Sequence, residues 1–165
     1  MINFLISVGA DVNIKTSRDE SPICKVLRQY KDMTLTLMYL LNTLKVDIFQ
    51  RGIQGDSLLH IAGYMGNLAH FKYLHEVKGM YLYDRNEFNL TPIFRACGGG
   101  VDVIKYLISI GIDIKNTVHT EHNDVNYALW NPLHYAAERG NIEVFKFLYK
   151  EVGVDIHART LFNST

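Results

Sequence analysis

The chain has 165 residues, with 17 Lys plus Arg against 17 Asp plus Glu and a formal net charge of zero. This balance gives no bulk field toward nucleic acid or acidic membrane surfaces, so neither is predicted as a partner. The two cysteines lack CxxC-type spacing, which argues against a disulfide framework or zinc knuckle and favours a reducing, intracellular setting, the cytoplasm.

The chain begins with MINFLISVGADVN, which has neither the basic stretch nor the long apolar run of a signal peptide. We interpret this segment as the second helix and exit of a repeated unit. The longest apolar stretch elsewhere, around LTLMYLLNTL, has about half the length of a membrane span. No membrane insertion is therefore predicted.

Four related boxes follow in chain order: SPIC at 21–24, SLLH at 57–60, TPIF at 91–94 and NPLH at 131–134. Their first residues lie 36, 34 and 40 positions apart, near a known repeat period of about 33 residues. Each box is predicted to begin a short helix, because it opens with an N-cap residue and three of the boxes continue with proline. The N-cap residues are Ser21, Ser57, Thr91 and Asn131, and the prolines are Pro22, Pro92 and Pro132.

Each box leads into a second apolar helical pattern: LTLMYLL, LAHFKYLH, VDVIKYLI and IEVFKFLY. Strand-like exits follow, with VDI at 46–48, IDI at 112–114 and VDI at 154–156. A tight hairpin tip is predicted two residues before the boxes at 21, 57 and 91 and two residues before Thr165, where a further box is expected to begin, because the residue types there tolerate a left-handed backbone. These tip residues are Asp19, Gly55, Asn89 and Asn163.

Together these features resemble the ankyrin repeat, which has a TPLH-like box, two antiparallel helices and a β-hairpin finger. The likeness is closest in NPLHYAAERGN with VFKFL and GVDI, and fair in SLLHIAGYMGN. The unit at 91–114 departs from the pattern at Phe94, which replaces the box histidine. Its glycine run at 98–100 is expected to loosen the turn between the helices. The unit at 21–48 lacks the alanine pair and the turn glycine.

The resemblance implies an all-α repeat solenoid of helix–turn–helix units joined by β-hairpin fingers. We expect a fragment of a longer array, because Thr165 falls in register, and weak self-association through uncapped ends. The single array at 1–165 divides into a partial repeat at 1–14, repeat 1 at 15–48 (degenerate), repeat 2 at 49–83, repeat 3 at 84–114, repeat 4 at 115–158 with a lengthened finger at 115–130, and the start of a further repeat at 159–165.

The box histidines are interpreted as structural residues. His60 and His134 recur at the repeat spacing, and a motif that recurs in this way is scaffold rather than an active site. The resemblance implies that they brace the loop and the neighbouring repeat through hydrogen bonds. Cys97 stands at a small buried position and is expected to be a packed thiol. No catalytic residue, cofactor or metal is predicted.

The resemblance places partner contacts on a concave face formed by the first helices and the fingers. Tyrosine and arginine are frequent hot spots of protein interfaces, and they stand in a row at helix positions that are usually exposed. An alternative interpretation of Ile61 and Met65 is that their side chains pack against the neighbouring repeats and do not contact a partner. The predicted contacts on the first helices are Tyr64, Met65, Arg95, Tyr135 and Arg139.

The lengthened finger gives a second candidate surface. The distance from the middle residue of an exit to the first residue of the next box is 18 residues from Asp113 to Asn131. At the other junctions it is ten residues, counted from Asp11, Asp47, Tyr81 and Asp155. The insertion is either a partner-binding finger anchored by Tyr127 and Trp130 or a tolerated loop with Trp130 packed on the next box. Its histidines and carboxylates match no structural zinc spacing. These residues are His119, Glu121, His122 and Asp124.

The sequence thus predicts a protein–protein interaction scaffold or adaptor without catalysis of its own. One alternative is the recognition arm of a larger protein, such as a ligase adaptor, a channel or a secreted effector. The other is an enzyme with an unrecognised site. Asn13, in LISVGADVN, resembles the finger position that asparaginyl hydroxylases modify in ankyrin proteins, and an intact-mass measurement after treatment with such an enzyme tests this hypothesis.

Overall fold

The computed structural model describes residues 11–17, 20–29, 33–115 and 130–159. In these ranges each box begins the first helix of a helix–turn–helix unit, as predicted. The helices are α1 Pro22–Leu27, α2 Thr34–Asn42, α3 Leu58–Met65, α4 Leu68–Lys72, α5 Pro92–Ala96, α6 Val101–Ser109, α7 Pro132–Glu138 and α8 Ile142–Phe147. π-Helical turns extend α4 through Tyr73–Val77 and α8 through Leu148–Val152.

The box residues cap their helices in most, but not all, repeats. The Thr91 hydroxyl accepts a backbone N–H three residues on at 3.2 Å, and the Asn131 side chain accepts the N–H of His134 at 3.1 Å. The expectation is wrong for Ser21, which makes no side-chain cap bond and donates instead to the Cys24 sulfur at 3.4 Å. The prolines that stand in the first turn are Pro22, Pro92 and Pro132.

The fingers are turns, and the predicted β-hairpins are not formed in the described ranges. The one isolated bridge found there joins Arg51 and Ser57. Instead, the residue five before the box donates its N–H to the carbonyl just before the box in three repeats, at 2.8 to 3.1 Å. The tip residues Gly55 and Asn89 are left-handed, with φ of 69° and 57°, as predicted. Each of these fingers is closed by this backbone hydrogen bond. Its strand-like exit therefore has no paired strand with which it could form a β-ladder. The predicted tips Asp19 and Asn163 lie outside the described residues.

The core runs along the stack of helix pairs. Helix α3 packs against α1 and α5, α4 packs against α6, and α6 packs against α8. Ile61 is fully buried in this stack, which confirms its reading as packing between repeats. Within the described residues, no helix is long and apolar enough to cross a membrane.

The glycine run at 98–100 permits close packing of repeat 3 against repeats 2 and 4. A Cβ atom on Gly99 would lie 2.0 Å from the Gly63 carbonyl oxygen, and one on Gly98 would lie 2.7 Å from side-chain atoms of Tyr135 and Arg139. These contacts give the glycines a packing role, whereas loosening of the turn stays a prediction. The glycines leave room for the neighbouring backbone and side chains to approach.

Candidate partner-binding site

Arg95 and Tyr135 lie inside the array, which corrects the expectation that they are exposed on the concave face. Arg95 is 7% exposed and Tyr135 is 1% exposed. The Arg95 guanidinium donates from Nη2 to Asp56 Oδ2 at 2.7 Å and from Nη1 to the Tyr135 hydroxyl at 2.9 Å. Neither side chain presents a surface that a partner could contact.

The Arg95 contacts form a buried network across repeats 2, 3 and 4. Its Nη2 also donates to Gln54 Oε1 at 2.8 Å, and Asn86 donates to Asp56 Oδ1 at 2.7 Å. Burial alone lowers the pKa of Arg95, but the Tyr135 hydroxyl and the Asp56 carboxylate outweigh it and hold the pKa above its ordinary value. The buried charge is paired and hydrogen-bonded, as a desolvated ion requires.

Tyr64 lies next to two arginine side chains. The guanidinium carbons of Arg95 and Arg139 are 5.3 Å and 4.7 Å from the centroid of its ring. Arg139 Nη2 also donates to the Tyr64 hydroxyl, a contact between residues 75 positions apart in the sequence. Cation–π attraction and this hydrogen bond fix the position of the phenol. The Tyr64 ring remains partly accessible, unlike that of Tyr135.

A cleft of about 450 Å³ lies between Tyr64 and Met65 on one side and Arg139 on the other. Gly98 and Gly99 form its floor, because the corresponding turn of repeat 3 has no side chains there. The remaining wall consists of Gly140, Asn141 and Ile142. We call this feature the glycine-floored cleft. It brings together three of the predicted contact residues: Tyr64, Met65 and Arg139.

Asn141 supports the floor of the glycine-floored cleft. Its amide donates to the Gly99 carbonyl at 2.7 Å, and its side-chain oxygen accepts the N–H of Val144 at 3.2 Å, which caps α8. Asn141 thus ties the first turn of α8 in repeat 4 to the backbone of repeat 3. The cleft is therefore held by hydrogen bonds between repeats.

His60 forms the predicted brace to the neighbouring repeat, and His134 braces its own box. His60 Nε2 donates to the Leu90 carbonyl at 2.8 Å, while its Nδ1 accepts the N–H of Ser57 at 3.1 Å. Because Leu90 belongs to the next repeat, this bond joins repeats 2 and 3. Burial lowers the pKa of His60, and it also lowers the pKa of His134, which accepts the N–H of Asn131 at 3.1 Å.

Trp130 packs on the box of repeat 4. It is half-buried, and its ring centroid lies 6.1 Å from that of His134. This arrangement agrees with the packing alternative for Trp130. Tyr127, the histidines and carboxylates of the lengthened finger, and most of the finger itself lie outside the described residues.

The remaining candidates have structural settings. Cys97 is fully buried, and burial raises its pKa to about 12, so it is a packed thiol. Asn13 is exposed, but its side-chain oxygen accepts a hydrogen bond from Gln50 of the next finger. In the described ranges, no three His, Cys, Asp or Glu side chains meet as a set that could hold a metal ion.

Aromatic residues on the fingers were missed by the sequence reasoning. Phe49 is 79% exposed and Tyr83 is 51% exposed. They stand two residues after Asp47 and Tyr81, which occupy corresponding positions in successive repeats. Tyr81 is also exposed, and its ring centroid lies 5.6 Å from that of Tyr83. Comparison of that finger position across the repeats could have found Phe49 and Tyr83.

Tandem helix–turn–helix units, with a box histidine, His60, that bonds to the next repeat, define a repeat solenoid. A sequence model described as ankyrin repeats (3 copies) matches residues 75–160, which is more than half of the chain. The chain belongs to the ankyrin-repeat family, whose repeats are in general protein–protein interaction modules.

The structure is also similar to the crystal structure of the ankyrin repeat domain of Bcl-3, described as a unique member of the IkappaB protein family. The TM-score is 0.62 at 18% sequence identity, and the match covers 99% of this chain and 69% of that one. At this identity the likeness supports the fold, and it extends the solenoid over repeat 1.

Proposed function

We propose that the chain binds a partner protein through the glycine-floored cleft. The observation that carries this proposal is the placement of Tyr64 and Met65 of repeat 2 and Arg139 of repeat 4 around one recess, with the glycines of repeat 3 between them. A preformed recess has little ordering to lose on binding, and tyrosine and arginine are the residue types that most often anchor an interface. Arg95 and Tyr135 support the cleft from behind and make no contact with the partner.

The exposed finger aromatics extend the proposed contact surface. Arg51 donates to Asp84 Oδ1 and Oδ2 at 2.9 and 3.1 Å and to the Arg85 carbonyl at 3.1 Å, so it ties the fingers of repeats 2 and 3 together. The finger turn that carries Phe49 is therefore held in a fixed position relative to the turn that carries Tyr83. Large aromatic side chains held in this way add contact area at low entropic cost.

A quantitative affinity capture from native cell extract tests the proposal. The bait carries Met65→Ala with Tyr64→Phe, and Lys150→Ala serves as the matched control because Lys150 is exposed and does not line the cleft. We expect a specific partner to be depleted from the cleft variant and retained by the control. Equal recovery on both baits would rule out the cleft as the contact surface.

The lengthened finger remains a separate proposal, anchored by Tyr127. Deletion of residues 119–128 in the same capture experiment is expected to reduce recovery of the partner if this finger takes part in binding. Unchanged recovery would identify the insertion as a tolerated loop. Trp130 is left in place, because its packing on the box gives it a structural role.

The proposed role includes no catalysis. The box histidines, which have the side-chain chemistry for it, are engaged in backbone hydrogen bonds, His60 with the next repeat and His134 with its own box. The alternative in which the array is the recognition arm of a larger polypeptide uses the same contact surface. The proposal of an intracellular setting rests on Cys24 and Cys97, which are free thiols within the core.

A further inference from the structure

The glycine-floored cleft contains hydrogen-bond donors that lack acceptors among the described residues. The Tyr64 hydroxyl oxygen accepts from Arg139, so its own hydrogen is still free to donate. Among the described residues, no acceptor meets that hydrogen. Arg139 has five N–H groups, and its other described polar contact is Glu138 Oε2, 3.6 Å from Nη1. The two side chains therefore present several donors to one recess.

The charge of the cleft is positive. Arg139 is the charged residue among those that line it. The second cation nearby, Arg95, is paired with Asp56 at 2.7 Å and adds little net charge. Glu138 lies outside the lining, and its side chain is 42% exposed, so solvent weakens its attraction to Arg139. A group with negative charge and acceptor oxygens is the complement of this recess.

The lining of the cleft indicates the kind of side chain that carries that group. The floor is bare backbone at Gly98 and Gly99, and the amide of Asn141 is already used to hold it. Met65 and Ile142 give apolar walls that suit the methylene part of a side chain. A carboxylate at the end of a short aliphatic stem fits both the donors and the walls.

We propose that the cleft binds an aspartate or glutamate side chain of the partner protein. The carboxylate accepts from the Arg139 guanidinium and from the Tyr64 hydroxyl, and it takes the place of Glu138 beside Arg139. A partner carboxylate outcompetes Glu138 because it reaches both donors, and charge-assisted bonds with good geometry are the stronger ones. This inference rests on the proposed function, since it names what the same cleft recognises.

Selection from a displayed library of random dodecapeptides on the immobilised full chain tests the inference. We expect the recovered peptides to be enriched in Asp or Glu at one position. Replacement of that residue by its amide, or Arg139→Gln in the chain, is expected to weaken the affinity about 10- to 100-fold. Tyr64→Phe, which keeps the ring and removes the hydroxyl, is expected to cost about 3- to 10-fold.

Two matched variants separate the mechanism from a general charge effect. Arg139→Lys keeps the charge but loses the planar fork, so we expect intermediate affinity. Lys150→Gln removes one positive charge away from the cleft and is expected to leave the affinity unchanged. Thermal unfolding of each variant, followed by circular dichroism, confirms that the fold is retained.

The outcomes distinguish this inference from the proposed function. Peptides that depend on Tyr64 and Met65 but show no acidic preference would overturn the carboxylate and leave the cleft as a binding surface. Acidic peptides whose affinity falls equally with Lys150→Gln would also overturn it, because the attraction would then be nonspecific. Recovery of no peptide sensitive to the cleft variants would overturn both proposals.

Discussion

Two ion pairs join repeats 2 and 3, one inside the array and one on the fingers. Asp56 and Arg95 meet at 2.7 Å with side chains 3% and 9% exposed, whereas Arg51 and Asp84 meet at 2.9 Å with side chains 45% and 29% exposed. If one residue of the Asp56–Arg95 pair is removed, the other is left as a buried ion that water cannot reach. If one residue of the Arg51–Asp84 pair is removed, water solvates the ion that remains. Two contacts with nearly the same length therefore have very different energetic weight.

The inner pair also has a positional role that the finger pair lacks. Arg95 contacts Tyr135 by a hydrogen bond and lies against the ring of Tyr64, so the pair sets the back of the glycine-floored cleft. The finger pair ties together only the two finger turns that carry Phe49 and Tyr83. The comparison indicates that the fold depends on the inner pair, while the finger pair adjusts an exposed surface.

The largest effect is expected from Asp56→Ala. This change leaves the Arg95 guanidinium buried without its carboxylate, and we expect a loss of about 3–5 kcal/mol in the free energy of unfolding. Urea denaturation measures it. The double variant Asp56→Leu with Arg95→Met is expected to recover most of the loss, because it removes both charges. A loss below about 1 kcal/mol for Asp56→Ala would contradict the contrast between the two pairs.

Gly99→Ala tests the helix packing at the same junction. Its Cβ atom would lie 2.0 Å from the Gly63 carbonyl oxygen, so the backbone of repeat 2 or 3 must shift. We expect a loss of about 1–3 kcal/mol in the free energy of unfolding, measured by urea denaturation. Gly79→Ala is the matched control, because nothing lies within 4 Å of the added Cβ atom. The strain in this control comes only from placing alanine at a left-handed φ of 68°. Equal losses would show that the close approach adds nothing.

The two sides of the junction are expected to titrate in different pH ranges. The pKa of His60 is lowered by burial, so the unfolded chain binds a proton more readily; the stability this provides is present above the unfolded pKa of about 6.5 and is lost as the pH falls below it. Partial burial acts to raise the pKa of Asp84, but Arg51 lowers it overall, and that stability is lost only below the unfolded pKa of about 3.9.

Unfolding free energies measured from pH 7.5 to 5 test this difference. We expect a slope of up to about 1.4 kcal/mol per pH unit from His60, and a smaller slope in His60→Gln. Asp84→Asn is the control, and its slope in this range should match that of the unmodified chain. A His60→Gln slope equal to that of the unmodified chain would contradict the assignment.

The smallest effect is expected from Arg51→Ala. Because both side chains of the finger pair contact solvent, we expect less than about 1 kcal/mol in the free energy of unfolding, decreasing further at high salt. Urea denaturation at low and high ionic strength measures both. A loss as large as that of Asp56→Ala would remove the distinction between the two pairs.

The sequence predicted the features that depend on local rules. Helix starts at the boxes follow from N-cap and proline preferences, and the left-handed tips at Gly55 and Asn89 follow from backbone sterics. The braces of His60 and His134 recur with the box and were predicted by resemblance. These features depend on residues within a few positions of one another, or on a repeated pattern, and both are visible in one sequence.

The features that depend on contacts between repeats were predicted less well. Helix position alone suggested that Arg95 and Tyr135 are exposed, whereas Asp56 pairs with Arg95 and draws it inward. The bare turn at Gly98 then leaves space for the Tyr135 ring. An aspartate just before a box, followed one repeat later by an arginine, was the available signal, but its meaning depends on tertiary packing.

The hydrogen bond from Arg139 to Tyr64 joins repeat 4 to repeat 2 and passes over the glycines of repeat 3. The stability of a solenoid is usually described by the stabilities of its repeats and the interfaces between adjacent repeats alone. This contact adds a coupling between units two apart to the couplings between neighbouring repeats. Loss of structure in repeat 3 would disturb this contact together with the interfaces to repeats 2 and 4, so unfolding of repeats 2 to 4 is expected to be more cooperative than coupling between neighbours alone predicts.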